Sequence, residues 1–186
     1  TLTEQKQLAL TSLSKKSSGL IALNAPSASS SQAMSVYNNR LYIVDAGGRM
    51  IWRYTSAGSG FGQESKYIKS PLEELSLAKS LAIDSNVYVG LANGRILKFL
   101  AGEQLPWNDA LVDPPLSEAT KLWASVEGER VVALDAKSKR LVIYDKNGAL
   151  ISQIVSAAFQ NPSGLTVDPQ AKTIFVPDGQ HALQSE

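Results

Sequence analysis

Short apolar runs separated by small polar turns recur along the chain, and four stretches share one order of features. They are RLYIVDAGGRMIWRYT at 40–55, NVYVGLANGRILKFLA at 86–101, RVVALDAKSKRLVIYDK at 130–146 and KTIFVPDGQHALQS at 172–185. Each has an apolar run, a polar turn, a basic residue and a second apolar run. Runs this short, rich in Val, Ile, Leu and Tyr and bounded by Gly, Asp, Asn and Pro, predict strands; helices would need about ten or more residues at a 3.6 period. Each stretch therefore predicts a β-hairpin. The first runs begin at Leu41, Val87, Val131 and Thr173, in steps of 46, 44 and 42 residues. The basic residues Arg49, Arg95, Arg140 and His181 step by 46, 45 and 41, so two sets of markers keep nearly one period.

A weaker strand with its own turn precedes each hairpin: AMSVYNN at 33–39, SLAIDSN at 80–86, KLWASVEGE at 121–129 and GLTVDPQAK at 164–172. A fourth strand is expected at 61–70, 103–113 and 149–156; GQESKYI at 62–68 and ALISQIV at 149–155 look strand-like, and the middle stretch does not. A period of 40 to 50 residues with four antiparallel strands is the sequence signature of a β-propeller blade. The chain is thus expected to be all-β, with about four blade repeats of 41–46 residues, at roughly 32–75, 76–118, 119–161 and 162–186. The last repeat stops after its third strand. Residues 1–31 stand apart: Leu2, Leu8, Leu10 and Leu13 predict a short helix or a linker, the Ser-rich stretch 25–32 a flexible tether, and GLIALN at 19–24 a possible closing strand.

The order strand, Asp, small turn, Arg, strand resembles the NHL-type repeat and the wider superfamily of six-bladed propellers, TolB-like and gluconolactonase-like proteins included. It is carried by Val44-Asp45-Ala46-Gly47-Gly48-Arg49 and by Leu134-Asp135-Ala136-Lys137-Ser138-Lys139-Arg140. The second repeat departs from it with Leu91 in the Asp position, and the fourth has Asp178 and His181. The resemblance covers residues 32–186 and implies a fold more than a function, since one fold hosts many activities. Six blades need roughly 260 residues, so a chain of 186 that begins at Thr1 is expected to be a piece of a larger six-bladed propeller, a compact ring, or an arc that pairs with another chain as a homo-oligomer. The expected setting is a larger bacterial protein, extracytoplasmic or associated with the cell envelope.

Composition narrows the chemistry. Lysine and arginine number 18 against 17 acids, a net charge of +1 that gives no field for nucleic acid, and no apolar run approaches the roughly 20 residues of a membrane helix. There is no cysteine, which excludes disulfides, thiolate metal sites and cysteine nucleophiles. His181 is the single histidine and sits at the repeat's basic position, so it reads as a replaced Arg; neither a GxSxG elbow nor a phosphate-binding loop occurs. No catalytic residue, cofactor-binding residue or metal ligand is therefore assigned.

Asp45, Asp135 and Asp178 recur at strand ends, where a carboxylate accepts backbone N–H bonds and can pair with the following Arg49 or Arg140. Asp84 and Asp168 read as turn formers, and residues 58–62 as a flexible glycine-rich hairpin. The candidate ligand-binding surface comprises Trp107, in the Pro-rich insertion 105–117 that can present it outward, and the turn residues Tyr37, Asn38, Asn39, Glu127 and Glu129. The leading expectation is a non-catalytic module that binds a protein, peptide or glycan. Two alternatives are an architectural or oligomerisation domain and, by the gluconolactonase resemblance, a calcium-dependent lactonase-like hydrolase.

Overall fold

The computed structural model describes residues 7–12, 17–22, 30–58, 60–109, 111–170, 172–178 and 181–185. Its strands are β1 (Gln7–Ser12), β2 (Ser17–Ala22), β3 (Ser31–Tyr37), β4 (Arg40–Asp45), β5 (Met50–Ala57), β6 (Gly60–Lys66), β7 (Ala78–Ile83), β8 (Val87–Leu91) and β9 (Ile96–Leu100). They continue as β10 (Glu103–Leu105), β11 (Lys121–Ala124), β12 (Arg130–Asp135), β13 (Arg140–Asp145), β14 (Leu150–Val155), β15 (Thr166–Asp168), β16 (Thr173–Asp178) and β17 (His181–Ser185). A 3-10 turn, Glu73–Leu77, is the one helical element among the described residues, and no helix there is long and apolar enough to cross a membrane.

The chain divides into two compact units, Thr1–Ser76 and Leu77–Glu186. In the first, β3-β4-β5-β6 form one antiparallel meander and β1 pairs with β2. Residues 7–12 are thus a strand where a helix or linker was expected: Leu8 and Leu10 alternate at the strand period, which outweighs the spacing to Leu2 and Leu13; the strand expected from Gly19 is present as β2 and pairs with β1. The Ser-rich stretch lies outside the described residues as far as Ser29. The second unit holds the meanders β7-β8-β9-β10 and β11-β12-β13-β14 and the three-stranded sheet β15-β16-β17. Every predicted hairpin is present, including the glycine-rich one, where Ala57 pairs with Gly60. The stretch that did not look strand-like contains β10, three residues long and largely exposed.

The packing explains why the middle strands are apolar throughout. In the third sheet, Val131, Ala133, Val142 and Tyr144 face Ala82, Tyr88 and Ile96 of the second sheet, while Val132, Leu134, Leu141 and Ile143 face Ile174 and Val176 of the fourth. Successive side chains of one strand enter two different cores, so both faces are apolar. The outer strand β14 adds only half-buried Leu150 to the first of these cores and Ile154 to the second, and carries exposed Ile151, Ser152 and Val155.

Candidate functional site

The carboxylates at the ends of the second strands latch each sheet to the chain that enters it. Asp45 Oδ1 accepts N–H bonds from Ser30 on the incoming segment and from Gly48 in its own turn, both at 3.0 Å. Asp135 accepts from Ser117 N at 3.0 Å, Ser117 Oγ at 2.5 Å and Ser138 N at 3.3 Å. Asp178 accepts from the backbone N–H groups of Gln160 and Asn161. One side chain thus ties a connecting segment to a strand end in three sheets. In the second sheet Leu91 stands in the Asp position; its carbonyl accepts from Gly94 N in its own turn and from Ala119 N of the segment that enters the third sheet.

Of the two expected basic partners, Arg140 pairs with its carboxylate and Arg49 does not. Arg140 Nε and Nη2 both reach Asp135 Oδ2 at 3.2 Å, and the guanidinium also donates to Gln153 Oε1 and the Pro115 carbonyl, each at 2.7 Å. Arg49 instead pairs with exposed Glu73 at 2.5 Å. The strand register gives the reason. Asp45 lies opposite Met50, Asp135 opposite Arg140 and Asp178 opposite His181, so Arg49 is equivalent to Lys139, and both are turn residues with positive φ. Asp84 and Asp168 do form turns, accepting from Asn86 N at 2.6 Å and Gln170 N at 2.9 Å. Asp84 has a second role that the sequence did not reveal: buried, it pairs with Lys146 of the next sheet, whose ammonium also donates to the Ser125 carbonyl. Lys98, an isolated cation inside the run ILKFL, was the visible signal of this inter-sheet clamp, since its ammonium donates to the Lys146 carbonyl at 2.7 Å.

A cleft remains between the third and fourth sheets of the second unit, with a volume of about 260 Å³. Trp123, Val132 and Ile143 form one cross-strand row on its one wall, and Val167 and Ile174 pair on the other. The mouth is formed by the turns that follow β11 and β15, which bring Glu127, Glu129, Arg130 and Lys172 to the surface. Gly128 lies so close over the indole that an added Cβ would stand 2.9 Å from its Cη2. Among the described residues none of these four charges is in an ion pair, unlike Arg140, Lys146, Arg49 and Lys79. The cleft therefore joins an apolar, aromatic floor to charges of both signs, an arrangement fitted to hold an apolar anchor with polar flanks.

The predicted surface residues are divided between the units. Glu127 and Glu129 line the cleft, joined by Trp123, an inner-strand aromatic expected to pack in the blade, and by Arg130 and Lys172, which the sequence had not singled out for binding; the charge-dense turn 127–130 was the available clue. Asn38 and Asn39 form the exposed β3–β4 turn of the first unit, both with positive φ, beside half-buried Tyr37. Trp107 is not displayed outward. Its ring is half-buried and packs edge-on against Tyr88 and Tyr144 at 5.7 and 5.3 Å, over Gly148, because the insertion folds back onto the core between the second and third sheets. The side chain of His181 lies outside the described residues. Among the described residues no three His, Asp or Glu side chains are grouped closely enough to hold a metal ion.

No protein-family model and no curated protein sequence matches the chain. Its structure is similar to that of virginiamycin B lyase from Staphylococcus aureus (TM-score 0.66, 10% identity, covering 99% of this chain and 64% of that one). It is likewise similar to a chain of a nidogen/laminin complex (TM-score 0.66, 15% identity, 90% and 64% covered) and to BamB from Moraxella catarrhalis (0.55, 18%, 81% and 42%). The chain thus spans less than two thirds of the length of each. All three are β-propellers, and the repeated antiparallel meanders described above have the same arrangement of strands. This chain has a β-propeller fold.

Proposed function

We propose that the chain is a non-catalytic propeller module that binds a peptide segment of a partner protein in the cleft between its third and fourth blades. The observation that carries this reading is the union, in one cleft, of the Trp123 ring and the charges of Glu127, Glu129, Arg130 and Lys172, which are in no ion pair among the described residues. Exposed aromatic surface supplies much of the affinity of peptide and protein interfaces, and rim charges of both signs select sequence and orientation. A net charge of +1 fits a partner recognised by shape and local charge rather than by long-range attraction. The fold recurs in a structure of two proteins in complex, nidogen and laminin, which adds support for a protein partner.

The test is selection of a random peptide library displayed on phage against the chain. The selected peptides should share one aromatic or aliphatic anchor flanked by charged residues, and should perturb the amide resonances of residues 123–130 and 167–174 in solution. A library that yields no binder, or peptides that perturb resonances elsewhere, would count against the cleft. A glycan array run in parallel separates a sugar ligand from a peptide one.

A further inference from the structure

Strand β14 is the outermost of the third sheet, with no strand beyond it among the described residues. Along such an edge every second residue turns its N–H and C=O outward, where they are a template for another strand. Native edges are blunted by shortness, charge or a covering segment. The other four-stranded sheets use the first two devices: β6 carries Glu64 and Lys66, and β10 is three residues long and begins at Glu103. β14 has neither. It runs Leu-Ile-Ser-Gln-Ile-Val, six residues with three β-branched ones and no charge, proline or glycine, the composition of segments that pair with copies of themselves. Its one irregularity is a bulge at Ile151, which has no partner on β13.

Two of the three exposed side chains of β14 are apolar, Val155 at 74% exposure and Ile151 at 46%. Midway between them, Gln153 is held in place, accepting from Arg140 Nη1 at 2.7 Å and donating to the Asp113 carbonyl at 3.1 Å. That second bond ties the insertion 105–117 alongside the strand, and Leu111, two residues before Asp113, is 79% exposed. Exposed apolar residues scattered singly are ordinary, whereas a group of them on one open sheet edge marks an interaction surface.

We propose that the outer edge of β14 joins the same edge of a second copy of this chain, extending the third sheet across a two-fold axis. Charge separates a second copy from a charged foreign segment: an uncharged edge would desolvate that segment's charges and offer them no partner, whereas it meets no repulsion from itself. The spacing fits as well. Ile151 and Val155 are symmetric about Gln153, so the antiparallel alignment centred there sets both exposed apolar residues of each copy against those of the other, Ile151 opposite Val155 twice. One strand pair is a small interface, so the dimer depends on concentration.

Sedimentation velocity of the full chain over a concentration series tests the proposal, and the average mass should rise from one chain toward two. Val155→Glu places a charge in the pair twice over and should weaken association about tenfold or more, in a chain that melts near the wild-type temperature because the residue is exposed. Trp123→Ala should leave association unchanged, so the dimer and the peptide cleft fail separately. The chain has no cysteine, so Ile151→Cys and Val155→Cys report the alignment. Oxidised as a mixture they should give a disulfide-linked dimer, and oxidised apart far less, since like positions would stand about 13 Å apart along the strands, beyond the roughly 7 Å between Cα atoms that a disulfide spans. A chain that stays monomeric at every concentration, association undiminished in Val155→Glu, or cross-linking no better in the mixture than apart overturns the proposal. So does a monomer in which a display-selected peptide perturbs the amide resonances of residues 150–155, an outcome that assigns the edge to another protein.

Discussion

Asp135 and Arg140 hold two connections with one ion pair: the carboxylate captures Ser117 of the incoming segment, and the guanidinium reaches the Pro115 carbonyl and Gln153. Both are buried, at 0% and 3% exposure, so removing either strands the other away from water. Asp135→Ala should destabilise the chain by about 3–5 kcal/mol in urea unfolding, while Ser117→Ala, which leaves the ion pair intact, should cost only about 1 kcal/mol. Burial alone would raise the Asp135 carboxyl, but the bonds donated by Ser117 and Ser138 outweigh it and hold its pKa below the ordinary carboxylate value. A depressed folded-state pKa contributes stability above the unfolded value, near 4, that is lost as pH falls through the folded one. Melting temperatures of the wild type should therefore fall on acidification below about pH 4 more steeply than those of Asp135→Asn. Gly148 is a second constrained position. With φ +95° and Trp107 2.8 Å from where a Cβ would stand, Gly148→Ala combines backbone strain with a clash and should destabilise by roughly 1–3 kcal/mol.

At the scale of elements, what the sequence reveals depends on burial. Strands β4, β8, β12 and β13 are buried on both faces, or nearly so, and appear as unbroken apolar runs, which is why their spacing disclosed the repeat. The recurrent Asp was legible for the same reason: its position at a strand end is fixed by the period. The assignment of Arg49 slipped by one residue because a turn of four residues and a basic run such as Lys139-Arg140 look alike without a register. Strand β10 was invisible, being three residues long with two exposed polar ones. The insertion 105–117 has no period at all, so its inward fold onto Tyr88 and Tyr144 could not be read from the chain. Its ring contacts make Trp107 a structural anchor of the core between the second and third sheets. Trp107→Ala should cost about 3–5 kcal/mol, measured by chemical unfolding, whereas a Trp held mainly at the surface would cost far less. The cleft was half legible: Glu127 and Glu129 stood out in their turn, but Lys172 and Arg130 meet them only through the pairing of blades.

For the molecule as a whole, the fold is a scaffold that fixes turns at blade ends and leaves clefts where adjacent blades diverge. Most charges near those turns are consumed by latches and clamps, Asp135 with Arg140 and Asp84 with Lys146 among them. Among the described residues the charges at the mouth of the Trp123 cleft are in no ion pair, and that contrast is the basis for reading it as a place of recognition. Gly128 supplies a structural control. Gly128→Ala presses on the tip of the Trp123 indole, which packs against the core between the third and fourth blades, so it should weaken peptide binding several-fold, by titration, at a stability cost of about 1 kcal/mol. The most direct measurement is the calorimetric Kd of one display-selected peptide for the wild-type chain and for Trp123→Ala. Loss of a central aromatic contact, worth about 2 kcal/mol or more, predicts an affinity at least roughly thirtyfold weaker in the variant. Equal affinities for the two chains would contradict the account.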